Sequence, residues 1–213
     1  MENILSSLEF IMRGGFMMYP LLLAGLVGLT VVIERSFRLH RSYITPAELT
    51  AQVIALTRSQ ELEKAAALCE RYETPVASVL AAGVSQFNHS LDEMNLTMKN
   101  RAEEWVPKLE SRIEVIDTVI TAAPLMGLLG TITGMMASFR VLSEKGVNEP
   151  HAITGGVAEA LIATATGLVI ALLCLVAYNH LAARVKAFIY EVETAASRLV
   201  EARMAVERKN GSR

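Results

Sequence analysis

The sequence predicts an all-α membrane protein with three spans and long helices that extend into the cytoplasm. Three observations predict it. Three apolar runs are long enough to cross a bilayer, Lys and Arg are distributed unevenly between them, and the remainder carries helix-start signals with no strand pattern. Composition agrees: 52% of the 213 residues are apolar and 20% charged, which suits a chain partly in lipid and partly in water. A net charge of −2 supplies no electrostatic attraction for nucleic acid.

Residues 1–15 read as a short N-terminal segment ahead of a first span at 16–34. The apolar run Phe16–Ile33 stops at Glu34-Arg35 and is followed by ERSFRLHR rather than a small-x-small cleavage site, so it reads as a retained span and not a signal peptide. Residues 35–114 read as a helical cytoplasmic loop. Thr45-Pro46-Ala47-Glu48 and Ser90-Leu91-Asp92-Glu93 are capping boxes, and Thr74-Pro75 starts a further helix. The second span, 115–140, has the uncharged core Val119–Phe139. No strong breaker stands between Leu91 and Gly146 except Pro107 and Pro124. The second span is therefore expected to end one long helix kinked at those prolines, about fifty residues and roughly 75 Å at ~1.5 Å per residue. A short turn at 141–154 leads to a third span at 155–183, whose part Ala160–Ala183 carries no Asp, Glu, Lys or Arg. Residues 184–213 read as a continuation of that helix with a disordered end at Lys209–Arg213.

Orientation follows from the basic residues. One lies ahead of the first span, ten between the first and second, two (Arg140 and Lys145) between the uncharged parts of the second and third, and seven after the third. Alternation places the N-terminus and the turn outside, and the long loop and C-terminal tail in the cytoplasm. Cys69 lies in a polar helical stretch and Cys174 in an apolar one, so no disulfide is expected. No Cys or His spacing suggests a metal, and no cofactor is expected.

Small residues form stripes in two spans. Gly127, Gly130, Thr131, Gly134 and Ser138 recur at intervals of three and four, as do Ala163, Gly167 and Ala171. Such stripes let helix backbones approach closely. Thr131, Thr133, Thr164 and Thr166 stand inside the same spans. Each can satisfy its hydroxyl on its own helix, the ordinary fate of Thr in a membrane helix, or line a polar path. An antiparallel pairing centred near residues 147–148 would set Thr131 and Thr164 at similar depth. Glu159 stands immediately before the uncharged part of the third span. It reads either as a first-turn residue favoured by the helix dipole or as a functional intramembrane carboxylate. Glu159, Ile162, Thr166 and Ile170 share a helix face, and Thr164 lies about 140° from Glu159 at ~100° per residue. The two cannot both point at one narrow axis.

The stretches APLMGLLGTITGMMASF (Ala123–Phe139) and GGVAEALIATATGLVIALLCLVAYN (Gly155–Asn179) resemble the MotA/TolQ/ExbB proton-channel family. The three-span layout resembles its TolQ/ExbB branch, whereas the flagellar branch has four spans. The resemblance implies an inner-membrane subunit that assembles as a ring, expected to be a pentamer. The ring would surround a dimer of a single-span TolR/ExbD-like partner that carries a protonatable Asp. A TonB/TolA-like protein is a further implied partner. The implied polar pore residues are Thr131, Glu159 and Thr164. The implied function is coupling of proton motive force to work across the envelope, for TonB-dependent transport or Tol-type maintenance.

The alternative is a non-conducting helical scaffold that recruits partners. An intramembrane protease would need a Ser/His pair, paired membrane aspartates or a zinc motif. The spans hold one histidine, His180, near a cytoplasmic end, so the chain does not read as an enzyme.

Overall fold

A computed structural model describes residues 14–42, 47–145 and 150–211. All regular structure among them is α-helical: α1 (Met18–Ser42), α2 (Ala47–Arg58), α3 (Leu62–Glu70), α4 (Pro75–Ser85), α5 (Leu91–Glu103), α6 (Val106–Glu110), α7 (Ile113–Lys145) and α8 (Pro150–Gly211). Among the described residues three stretches are long and apolar enough to cross a membrane, within Met18–Leu39, Leu91–Glu144 and Thr154–Lys209. The chain divides into two compact units. One comprises Met1–Glu34 with Arg112–His180, the other Arg35–Ser111 with Leu181–Arg213.

The first unit holds the membrane-length parts of α1, α7 and α8. Its packing follows its small residues. A Cβ placed on Gly130 would lie 2.6 Å from the Ala163 Cβ, and one on Gly134 would lie 2.8 Å from the Gly156 carbonyl oxygen. A Cβ on Gly167 would lie 2.5 Å from the Ala123 carbonyl oxygen. Helices α7 and α8 therefore meet backbone to backbone along this seam. Helix α1 joins through Gly25, which faces Ile170, and Gly28, which faces Cys174 and Val119. The opposite faces carry exposed Leu125, Leu128, Met136, Leu161, Leu172 and Leu173, an apolar surface suited to lipid or to other protein in a membrane.

The second unit is a helical bundle with its own core. Val53, Ala65, Leu80, Met94 and Met98 from α2 to α5 bury against Val192, Ala195 and Leu199 of α8. A Cβ on Gly83 would lie 2.5 Å from Leu199 Cδ2 and 2.6 Å from Met98 Sδ. Arg203 fastens the far end of α8, donating to the His89 carbonyl at 3.1 Å and standing 5.1 Å from the Phe87 ring centroid. Two expected helix starts are formed. The Ala77 N–H donates to Thr74 Oγ1 at 3.3 Å, and Ser90 and Glu93 make the reciprocal capping box at 3.2 Å each way. The box at Thr45 lies outside the described residues.

The long helix expected from Leu91 to Arg140 is not continuous. α5 stops at Glu103, Pro107 lies in the first turn of α6, and the chain leaves helix again at Ser111 and Arg112. Arg112 takes a left-handed φ of 63°, which ends a helix whatever the propensity of its neighbours. Pro107 thus opens a helix instead of kinking one, while Pro124 does lie inside α7. Arg35 is fully buried and donates to the Lys108 carbonyl at 3.0 Å and to the Leu109 carbonyl. It satisfies carbonyls at the end of α6 that the helix itself leaves open. Helix α8 is continuous from Pro150 to Gly211, so residues 209–211, expected to be disordered, are helical.

Candidate functional site

The polar residues of the spans reach the structure with different partners. Thr131 Oγ1 donates to the Leu128 carbonyl at 2.6 Å. Thr133 donates to the Leu129 and Gly130 carbonyls at 3.1 Å each, and Thr166 to the Ile162 carbonyl at 2.9 Å. These three hydroxyls spend their proton on their own helix and keep only acceptor capacity for anything beyond it. Thr164 differs. Its hydroxyl donates to the Gly127 carbonyl of α7 at 2.9 Å, a bond between helices that the absence of a side chain on Gly127 makes possible. A Cβ there would lie 3.0 Å from the Thr164 Cα.

The register of α7 against α8 corrects the depth expected for these threonines. Gly127 faces Thr164, Gly130 faces Ala163, and Gly134 faces Ala160 and Gly156. Thr164 therefore lies level with Gly127, one turn along α7 from Thr131. The meshing of small residues sets this register, not the midpoint of the connecting turn, which lies outside the described residues. Gly127, Gly130, Gly134, Ala163 and Gly167 all lie on the seam, and Ala171 is buried one turn beyond Gly167. Ser138, Gly156, Ala160 and Ala123 extend it. The last three were missed in the sequence, although the three- and four-residue spacing runs back from Ala163 through Ala160 to Gly156.

Glu159 is half-buried. It sits against the turn that precedes α1: a Cβ added to Gly15 would lie 1.5 Å from Glu159 Oε1. Farther along the same face of α8, Ile170 packs on Gly25. This face is turned to α1, while Thr164 is turned to α7, as their angular separation requires. Between α1 and α8 lies a cavity of about 380 Å³ lined by Leu22, Gly25, Leu26, Leu29, Ile170 and Leu173 among others. Its lining is apolar apart from the Cys174 thiol, so it offers no hydrogen-bonded route for a proton.

Among the described residues no group of three or more His, Cys, Asp or Glu is arranged to hold a metal. Cys69 is buried in the second unit, and burial, with Glu70 beside it, pushes its thiol up to about 11. Such a thiol is inert as a nucleophile at neutral pH.

The model of the MotA/TolQ/ExbB proton channel family matches residues 71–194, a stretch that includes α7 and the membrane-length part of α8. An ExbB-like biopolymer transport protein of Synechocystis sp. is 31% identical over 170 residues, covering 79% of this chain and 81% of that protein. The Tol-Pal system protein TolQ of Haemophilus influenzae is 42% identical over 94 residues, 44% of this chain and 40% of TolQ. The biopolymer transport protein ExbB of Aquifex aeolicus is 35% identical over 107 residues, 50% of this chain and 72% of ExbB.

Proposed function

The chain belongs to the MotA/TolQ/ExbB proton channel family, in its TolQ/ExbB branch, and on that premise we propose that it is the channel subunit of a proton-driven motor in the bacterial inner membrane. Five copies form a ring around a dimer of a single-span TolR/ExbD-like partner, and the complex turns proton motive force into work for TonB-dependent transport or Tol-type envelope maintenance. A TonB/TolA-like protein receives that work. The N-terminus faces the periplasm and the C-terminal part of α8 the cytoplasm, a reading supported by the excess of Lys and Arg in the segments assigned inside.

One observation carries this reading: Glu159 is the only acidic residue between Glu149 and Glu191, and it is half-buried within α8, immediately before the uncharged stretch of that membrane-length helix. A carboxylate in that position is expensive unless it is used. Each proton crossing releases ~2.3 kcal/mol per 100 mV, and capturing it requires a group that can lose and regain a proton partway across. Glu159 stands near one end of its span. Thr131, Thr133 and Thr166 have committed their protons to their own helices. Family membership implies that the carrier at mid-depth is a protonatable Asp of the partner, and these positions support that division. Glu159 sets proton access at the outer end, while Thr131, Thr133, Thr164 and Thr166 present hydroxyl oxygens along the hydrated path.

Co-purification tests the assembly. A tag on this chain, extracted from native membranes in mild detergent, is expected to bring down a small single-span protein with an Asp in its span. Repeated recovery of soluble proteins alone would favour the non-conducting scaffold.

A further inference from the structure

The turn ahead of α1 holds the Glu159 carboxylate at a point where no side chain can stand. Gly15 has a φ of +72° and would carry its Cβ 1.5 Å from Glu159 Oε1 and 2.4 Å from the carboxyl carbon. The turn is packed on its inward side. Gly14 is buried, and Met18 and Leu21, the next inward-facing residues, are 2% and 0% exposed. The Met18 N–H donates to the Gly15 carbonyl at 3.1 Å, which ties the turn to the first residue of the helix. Met17 packs near Gly130 on α7, its Cβ 3.5 Å from where a Gly130 Cβ would be. The turn thus meets α7 through Met17 and α8 through Gly15, against Glu159.

We infer that Gly15 is a positioning residue for Glu159: its bare, left-handed backbone is the seat in which the carboxylate rests. Two independent requirements converge on glycine here. The left-handed φ disfavours a side chain on backbone grounds, and the carboxylate occupies the volume that a side chain would need. The Glu159 side chain can leave the seat only by rotating away from α1 or by movement of the turn. Access to Glu159 is then governed by the start of α1, a segment of this chain and not of a partner. The consequence for proton coupling rests on the function proposed above. The seat itself does not.

The test reads Glu159 directly. In native membranes containing the assembled complex, the rate at which a hydrophobic carbodiimide modifies Glu159 is followed by mass spectrometry in the wild type and in Gly15→Ala. Ejection from the seat is expected to raise that rate at least threefold, with proton-coupled activity falling at least tenfold. A rate at or below the wild-type value overturns the inference. Backbone strain from Ala at a left-handed position is separated by repeating Gly15→Ala in a Glu159→Ala background, where the carboxylate is gone. There the loss in thermal midpoint caused by Gly15→Ala is expected to be less than half of that in the wild-type background, and an equal loss overturns the inference. If Gly15→Ala alone does not accumulate, the double variant is expected to accumulate, and its failure to do so also counts against the seat. Failure of the functional reading shows separately: Glu159→Ala would keep full activity even while the labelling rate responded to Gly15.

Discussion

Thr131, Thr133, Thr164 and Thr166 stand deep in two apolar helices, and only the structure separates their roles. Thr131, Thr133 and Thr166 bond within their own helix, while Thr164 crosses to Gly127. Sequence spacing held both possibilities open for each of them. The choice depends on whether a carbonyl on a neighbouring helix comes within reach, and that is a property of register. Thr164→Val removes an interhelical bond, whereas Thr131→Val removes one that a helix forms without neighbours. Thr164→Val is expected to cost about 0.6–1.7 kcal/mol and Thr131→Val less than half as much, read by unfolding in mixed SDS micelles. Equal costs would show that the Gly127 contact contributes nothing. Glu159 was legible as an unusual residue from its place before an uncharged run. Its contact with Gly15 was not legible, because nothing local links positions so distant in the chain.

At the scale of elements, the helix starts at Thr74 and Ser90 were readable because capping is chemistry local to four residues. The break at Ser111–Arg112 was hidden. Neither residue is a breaker by type, and the left-handed Arg112 is held by tertiary context, including its ion pair with Glu34 of α1. The small-residue stripes were readable as stripes but not as a register. Their meshing makes a sharp contrast between two glycines of α8. Gly167→Ala drives a Cβ to within 2.5 Å of the Ala123 carbonyl oxygen, a backbone atom that cannot swing aside, whereas nothing lies within 4 Å of a Cβ on Gly155. Gly167→Ala is expected to cost about 1–3 kcal/mol. Gly155→Ala is expected to be neutral or to stabilise α8 by up to about 1 kcal/mol through helix propensity. The same micellar unfolding distinguishes them, and comparable losses at both positions would contradict the seam. Gly130→Leu, whose first side-chain atom already meets Ala163, is expected to abolish ring assembly, with a ring of normal mass in native mass spectrometry as the contrary result.

For the molecule as a whole, three apolar runs and a charge bias were enough to anticipate an all-helical chain with three membrane-length helices. The way one helix serves two units was less accessible. α8 contributes Ala160, Ala163 and Gly167 to one unit and Val192, Ala195 and Leu199 to the core of the other. Only the change in its companions marks the division. The second unit has a built-in reporter in Cys69, whose thiol rises from an ordinary 9.0 to about 11 on burial. Its thiolate is about 100-fold scarcer near neutrality than that of an ordinary thiol. Maleimide labelling at pH 7.5 is expected to be at least that much slower in the native chain than in the denatured one. Because the unfolded thiol ionises first, stability is expected to fall as pH rises from about 9 towards 11. Rapid labelling of the native chain would show that this core opens. The central claim, that Glu159 governs proton flow, is tested most directly by proton uptake into liposomes holding the complex purified through a tag on this chain. The wild-type complex is expected to take up protons when a potential is applied, and the assembled Glu159→Ala complex to do so at least tenfold more slowly. Wild-type flux through an intact Glu159→Ala complex would contradict the account and leave Glu159 only its packing contact at Gly15.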